Sequence, residues 1–203
     1  KNGIRVLRYE GTDSTSIWDW LDNADTAVVT VSGHRLVRGA YNYMDRVASC
    51  LDSAVSSNGW TLDYIVGYSL GGAAATMYSL LYSPNVPLRT YGAFATRHNS
   101  QSACQLDGIR YLHEDDPIGS DIDGFFQDYD HDLSTAIRLY IDRVENCTDA
   151  IWGICYWWET TETKHMADAS SCSYRSPWPG WVDGIYNSFT VHEEVYVDAE
   201  YWV

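Results

Sequence analysis

The chain has 203 residues, 45% of them hydrophobic, a composition that suits one domain with a real core and argues against disorder. Its formal net charge of −15 argues against nucleic acid and anionic membrane surfaces as partners. No apolar run approaches the ~20 residues that cross a bilayer, and neither CxxC nor HExxH occurs, so the chain reads as soluble and without a metal or other cofactor. Five cysteines and the sequon Asn146-Cys147-Thr148 favour an oxidising, secretory setting over free thiols and an unused sequon, with Asn146 as the glycosylation candidate. Lys1 opens almost directly onto a strand-like run, which suggests a processed or truncated chain.

In chain order, Ile4 to Tyr9 read as a strand and Glu10-Gly11-Thr12-Asp13-Ser14 as the loop after it. Ser16 to Asp22 could form a short, half-apolar helix, and Ala27 to Val31 a second strand. From Arg38 to Val55 the apolar residues Ala40, Met44, Val47, Leu51 and Val55 recur at steps of three and four, the period of an amphipathic helix. Tyr64, Ile65 and Val66 begin a buried strand, and Ala73 to Leu81 a buried helix that Pro84 and Pro87 end. Leu88 to Phe94, Ile109 to Leu112 and Ala136 to Ile141 are further strands. Beyond Cys147 the chain reads as aromatic and irregular, with Trp152, Trp157, Trp158, Trp178 and Trp181. Strands alternating with helices predict a single α/β domain over residues 1–203 with a largely parallel sheet, without repeat or linker.

Between the strand at Tyr64 and the helix at Ala73 stands Gly67-Tyr68-Ser69-Leu70-Gly71, the Gly-x-Ser-x-Gly pattern of a nucleophile elbow. A serine there sits on a tight, strained strand-to-helix turn, and only residues without a Cβ fit two places to either side. The turn aims the Leu70 N–H and the positive end of the helix at charge developing beside Ser69. The plainer alternative is a glycine-rich turn that contains a serine. A serine hydroxyl needs a base, and an imidazole needs an acid to fix its tautomer. Asp116, directly after the Ile109 to Leu112 strand, is the candidate acid; Asp115, Asp121 and Asp123 are rivals whose other reading is solvated loop charge. His113, His131, His165 and His192 are the histidines near or after it.

These residues resemble, nearly over the whole chain, the class 3 lipase family of fungal-lipase-like α/β-hydrolases, which includes secreted lipases and feruloyl esterases. Val6 to Thr12 is similar to the family strand that ends in Arg-Gly-Ser/Thr, Ser16 to Leu21 falls where the family has its lid helix, and Val31 to Tyr41 leads into a Gly-aromatic helix. Gly67 to Gly72 matches the elbow Gly-x-Ser-Leu-Gly-Gly, Tyr91-Gly92-Ala93 the Phe-Gly-Ala/Gln-Pro strand end, and Asp116-Pro117-Ile118 the Asp-x-Val-Pro motif. Tyr129-Asp130-His131 followed by Leu139-Tyr140-Ile141 resembles a structural histidine with the strand beyond it. Glu10 stands where the family usually has arginine, Tyr68 where it has histidine and Phe94 where proline is common. The family's first helix and strands have no counterpart ahead of Lys1.

The resemblance implies an α/β-hydrolase fold, a mostly parallel central sheet flanked by helices with the family's N-terminal part missing. It implies Ser69 as nucleophile, Asp116 as acid, and Thr12 with Leu70 as oxyanion donors. For the base, His131 matches the structural position and His113 precedes the acid, which leaves His165 and His192. His165 has a family-like spacing from the Cys147 and Cys155 pair; His192 lies just before the C-terminus with a tyrosine close behind, and is preferred. A Cys147–Cys155 bridge is implied, with Cys50, Cys104 or Cys172 available to a missing N-terminal segment or a second chain. Ile17, Trp18, Trp20 and Leu21 then form either a lid or an ordinary docked surface helix. The expected activity is that of a secreted serine ester hydrolase acting on lipid or other acyl esters. The competing class is a catalytically retired fold serving as a structural or adhesive extracellular glycoprotein, since fold alone does not prove activity.

Overall fold

The computed structural model describes residues 3–11, 25–102, 105–113, 116, 126, 128–151 and 154–168. Within them the chain runs β1 (Val6–Tyr9), β2 (Val28–Val31), β3 (His34–Val37), α1 (Arg38–Ser57), β4 (Tyr64–Tyr68), α2 (Leu70–Tyr82), β5 (Leu88–Tyr91), β6 (Arg97–His98), β7 (Leu106–His113), β8 (Tyr129–Asp130), β9 (Leu133–Ile151) and β10 (Ile154–Asp168).

Six of these strands form one sheet in the order β1-β4-β5-β7-β9-β10. The first five run parallel, and β10 returns antiparallel along β9. This is the mostly parallel, helix-flanked sheet expected from the alternation of strands and helices. The register carries Tyr9, Gly67 and Thr90 across three strands on one level, and Tyr68, Tyr91 and Tyr111 on the next. Successive side chains of a strand point to opposite faces, so these two rows belong to opposite faces of the sheet.

The second helix, α2, is apolar all round, and Leu70 through Ser79 are buried. A helix of that composition belongs in the interior, and α2 packs on β1, β4 and β5 with α1 against it. The α1 helix starts directly after β3, where Arg38 and Gly39 donate their backbone N–H groups to the Ala27 and Asp25 carbonyls at 2.8 and 2.9 Å. These bonds satisfy donors that a helix start otherwise leaves open. Its core-facing row is Ala40, Met44 and Ala48, with Leu51 packed beside them. Val47, expected on that row, is 42% exposed, because the row advances by four residues at each step and Ala48 takes its place.

Two segments differ from expectation. The Ala27 to Val31 strand pairs with β3, outside the main sheet, in a four-stranded antiparallel sheet β2-β3-β6-β8. The turn is Ser32-Gly33, both at positive φ (49° and 84°), the left-handed pair that suits the twist of a two-residue hairpin. The stretch beyond Cys147, read as irregular, forms the end of β9 and all of β10 through Asp168. Its tryptophans and threonines are strand formers, and a partner strand lies two residues away across Trp152-Gly153. The Ser16 to Leu21 helix, Trp178 and Trp181 lie outside the described residues.

Between the sheets, Arg97 on β6 pairs with Asp132, just before β9, at 2.5 Å, and both side chains are buried. Arg97 also bonds the His34 Nδ1 at 2.9 Å. Burial pushes the Asp132 carboxyl up, against the opposing pull of the Arg97 guanidinium.

Candidate active site

The elbow is built as the pattern requires. Strand β4 ends at Tyr68, α2 begins at Leu70, and Ser69 between them takes φ 53°, ψ −126°, a conformation that L side chains rarely adopt. Its N–H donates to the Tyr91 carbonyl on β5 at 2.9 Å, and its carbonyl accepts from Gly72 and Ala73 at 2.9 and 3.1 Å. The strained residue is therefore held from both sides. A Cβ on Gly67 would lie 2.3 Å from the Gly71 oxygen, and one on Gly72 would lie 2.6 Å from the Ala93 Cβ. Glycine is required because helix and strand touch backbone to backbone. Leu70 is the first residue of α2, so its N–H is among those with no partner inside the helix, at the positive end of the dipole.

Because β1 lies parallel to β4 with Tyr9 opposite Gly67, the chain leaving β1 runs alongside the chain leaving β4. A Cβ on Gly71 would come within 2.3 Å of the Glu10 oxygen and 2.5 Å of the Tyr9 oxygen. A Cβ on Gly11 would lie 2.8 Å from the Tyr68 ring and 3.1 Å from the Ser69 Cβ. Gly11 thus passes directly beside the serine. Thr12, the next residue, lies outside the described residues. From α1, the Tyr43 hydroxyl donates to the Glu10 carbonyl at 3.2 Å. Burial, and then the Glu10 charge, raises the Tyr43 phenol above its ordinary value and keeps it a donor. No local signal marks Tyr43 in the sequence, because its partner lies 33 residues away.

Asp116 is fully buried and follows β7, two strands from β4 on the same edge of the sheet. Two strand spacings amount to roughly 10 Å. The rivals Asp115, Asp121 and Asp123 lie outside the described residues. Among the histidines, His131 is buried just ahead of β9, whose first residue Leu133 pairs with Leu106 at the start of β7. It therefore sits at the edge of the sheet away from Ser69. His113 ends β7 opposite Leu139. His165 lies on β10 opposite Tyr140, four strand spacings from β4. That is roughly 19 Å, beyond the reach of a hydrogen bond between two side chains. His192 lies outside the described residues.

On the β9–β10 hairpin, Asn146 is opposite Glu159, Cys147 opposite Trp158, and Cys155 opposite Ala150. Cys50 is an exposed free thiol on α1; Cys104 and Cys172 lie outside the described residues. Among the described residues no group of three His, Cys, Asp or Glu side chains could hold a metal ion, and no helix is long and apolar enough to cross a membrane.

No protein-family model matches the chain, and no curated protein sequence does. Solved structures do match. A fungal lipase is similar with a TM-score of 0.57 and 20% identity, over 93% of this chain and 69% of that one. A mutant form of MDLA from Penicillium cyclopium gives a TM-score of 0.55 at 18% identity, over 90% of this chain and 67% of that one. The lipase from Rhizopus microsporus var. chinensis gives 0.51 at 16% identity, over 69% of this chain and 54% of that one. The chain thus matches between 54% and 69% of the length of these three proteins. The parallel sheet, the elbow at its edge and these likenesses agree on one architecture: the chain has an α/β-hydrolase fold like that of these fungal lipases.

Proposed function

We propose that this chain is the catalytic part of a secreted serine ester hydrolase acting on acyl esters of the lipid class. The observation that carries the reading is Ser69 at positive φ on the β4–α2 junction, with Gly11 against it on one side and the start of α2 on the other. A strained serine persists only where the surrounding structure over-determines it, and such strain clusters at sites of chemistry. Asp116, buried beyond β7 on the same sheet edge, is the acid that this arrangement calls for.

In this mechanism the Ser69 hydroxyl attacks the ester carbonyl while His192 takes its proton; Asp116 holds the neutral imidazole in the productive tautomer and stabilises the imidazolium that forms. The oxyanion is received by the N–H groups of Leu70 and Thr12. The tetrahedral intermediate collapses as His192 returns the proton to the leaving alcohol. Water, deprotonated by the same histidine, then attacks the acyl-enzyme and frees the acid and Ser69. The five cysteines and the Asn146 sequon support secretion. A second chain reached through an unpaired cysteine is proposed as a partner.

A fluorophosphonate probe should label wild-type protein at Ser69, and Ser69→Ala should lose both labelling and hydrolysis of p-nitrophenyl esters. The catalytic rate should drop by on the order of a million-fold, because triad members act as a unit. Unlabelled wild-type protein, or a Ser69→Ala variant that keeps most of its activity, would return the fold to the structural glycoprotein reading. Ester chain length, varied in the same assay, sorts long-chain lipid from short acyl substrates.

A further inference from the structure

We propose that Tyr43 is a positioning residue of the ester-hydrolase site: its hydrogen bond to the Glu10 carbonyl holds the end of β1 against the nucleophile elbow, in a gap that glycines 11 and 71 keep open. The inference rests on Ser69 being the nucleophile.

The contact between β1 and the elbow is backbone on backbone at Gly71 and backbone on side chain at Gly11. Gly71 approaches the Tyr9 and Glu10 carbonyls so closely that a Cβ would overlap them, and Gly11 approaches the Tyr68 ring and the Ser69 Cβ in the same way. Neither glycine carries a side chain that could interlock across the contact. Its register along the strand direction is set by whatever else holds Glu10 and Gly11. The Tyr43 hydroxyl bond at 3.2 Å is one such hold, and it comes from the second turn of α1. That helix is a firm base, since Ala40, Met44 and Ala48 on either side of Tyr43 are buried in the core. Tyr9, just ahead of the contact, is packed against Tyr78 of α2 with ring centroids 5.9 Å apart. One helix therefore holds the strand end by its ring and the other by a hydrogen bond.

An oxyanion donor acts only when placed within a few tenths of an ångström of the developing charge, and a misplacement of about 1 Å costs on the order of a hundredfold in rate. Ground-state binding is far less sensitive to that placement. A residue that sets the position of the β1 end should therefore change kcat and leave KM alone, whereas a merely structural residue changes the folded fraction and neither constant.

The test is Tyr43→Phe, which keeps the ring and removes the hydroxyl. In the full chain it should lower kcat by about three- to tenfold, as expected for one lost hydrogen bond felt in the transition state. KM for a p-nitrophenyl ester should stay within about twofold, and the thermal midpoint should be nearly unchanged. Affinity for an alkylboronic acid, which forms a tetrahedral adduct on the serine, should fall in proportion to kcat/KM. Gly11→Ala, which displaces the same contact from the other side, should reduce kcat further with the same pattern. A Tyr43→Phe protein with wild-type kcat and boronate affinity overturns the proposal, as does one that loses only KM. Wild-type protein that fluorophosphonate labels at Ser69 separates such a result from a failure of the hydrolase reading. Absence of that labelling overturns both.

Discussion

At the scale of single residues, the glycines of the chain separate into those that face backbone, as in the elbow, and those that face space, as in the β2–β3 hairpin. Gly71 has the Glu10 and Tyr9 carbonyl oxygens within 2.3 and 2.5 Å of a built Cβ, and neither can move without carrying β1 with it. Gly71→Ala should cost about 3 kcal/mol, which lowers the Tm of a chain of this size by roughly 6–12 °C in a thermal melt. Gly33 has nothing within 4 Å and needs only its positive φ. Gly33→Asn should be nearly neutral, because asparagine tolerates that region. The buried Arg97–Asp132 pair behaves differently again. Arg97→Met leaves the Asp132 carboxylate buried without its cation, and should cost about 3–5 kcal/mol in chemical denaturation. The double variant with Asp132→Leu should recover most of that loss, because the desolvation penalty disappears together with the attraction.

At the scale of elements, the β9–β10 hairpin decides the most. It pairs with β7 only as far as Leu139 opposite His113, and from there its two strands continue with each other. Since β9 is parallel to β7, the extension leaves from the sheet edge that also carries Ser69 and Asp116. The hairpin register holds His165 on the outermost strand, far from β4. Accordingly His165→Ala should keep ester hydrolysis within about twofold of wild type, while His192→Ala should remove it as thoroughly as loss of a triad base does; initial rates on a p-nitrophenyl ester decide, and the reverse result moves the role of base to His165. A Cys147–Cys155 bridge closes at Cα separations of about 4.4–6.8 Å. With Cys147 opposite Trp158 and Cys155 opposite Ala150, that bridge asks the hairpin to change register at the irregularity between Cys155 and Trp158.

At the scale of the whole molecule, acidity should loosen the junction between the two sheets. Partial burial, and then the Arg97 charge, holds the His34 imidazole below its ordinary value of 6.5, since its Nδ1 accepts from Arg97 and is best kept neutral. The unfolded chain takes up that proton near pH 6.5 and the folded chain only at lower pH. Stability contributed by neutral His34 is therefore present above about pH 6.5. It is lost as pH falls toward the folded value. Asp132 has the opposite sign: its carboxyl is raised in the fold, so protonation there returns some stability as pH falls. Thermal midpoints measured from pH 7.5 down to 5.5 should fall, and His34→Gln should flatten that slope.

The local pattern by itself determined the elbow, the strands on either side of it and the long helix α1, because each is set by residues close in sequence. Gly67, Ser69 and Gly71 describe one turn, and the steps of three and four from Ala40 describe one helix face. The same locality explains why Asp116 reads as the candidate acid: it stands just beyond a strand. Chain-distant partners were not legible. Val47 and Ala48 are both apolar, and only packing against α2 and the sheet chose between them. The aromatic stretch after Cys147 looked irregular until a second strand lay beside it, since an isolated two-stranded hairpin is marginal and its pairing depends on the sheet that it extends. Tyr43 reaches Glu10, and Arg97 reaches Asp132 and His34, across separations that no local periodicity records. Residue type and spacing determined which turn could carry a nucleophile; only the tertiary structure decided what holds that turn in place, because close backbone contact and buried charge pairing are properties of segments that meet in space.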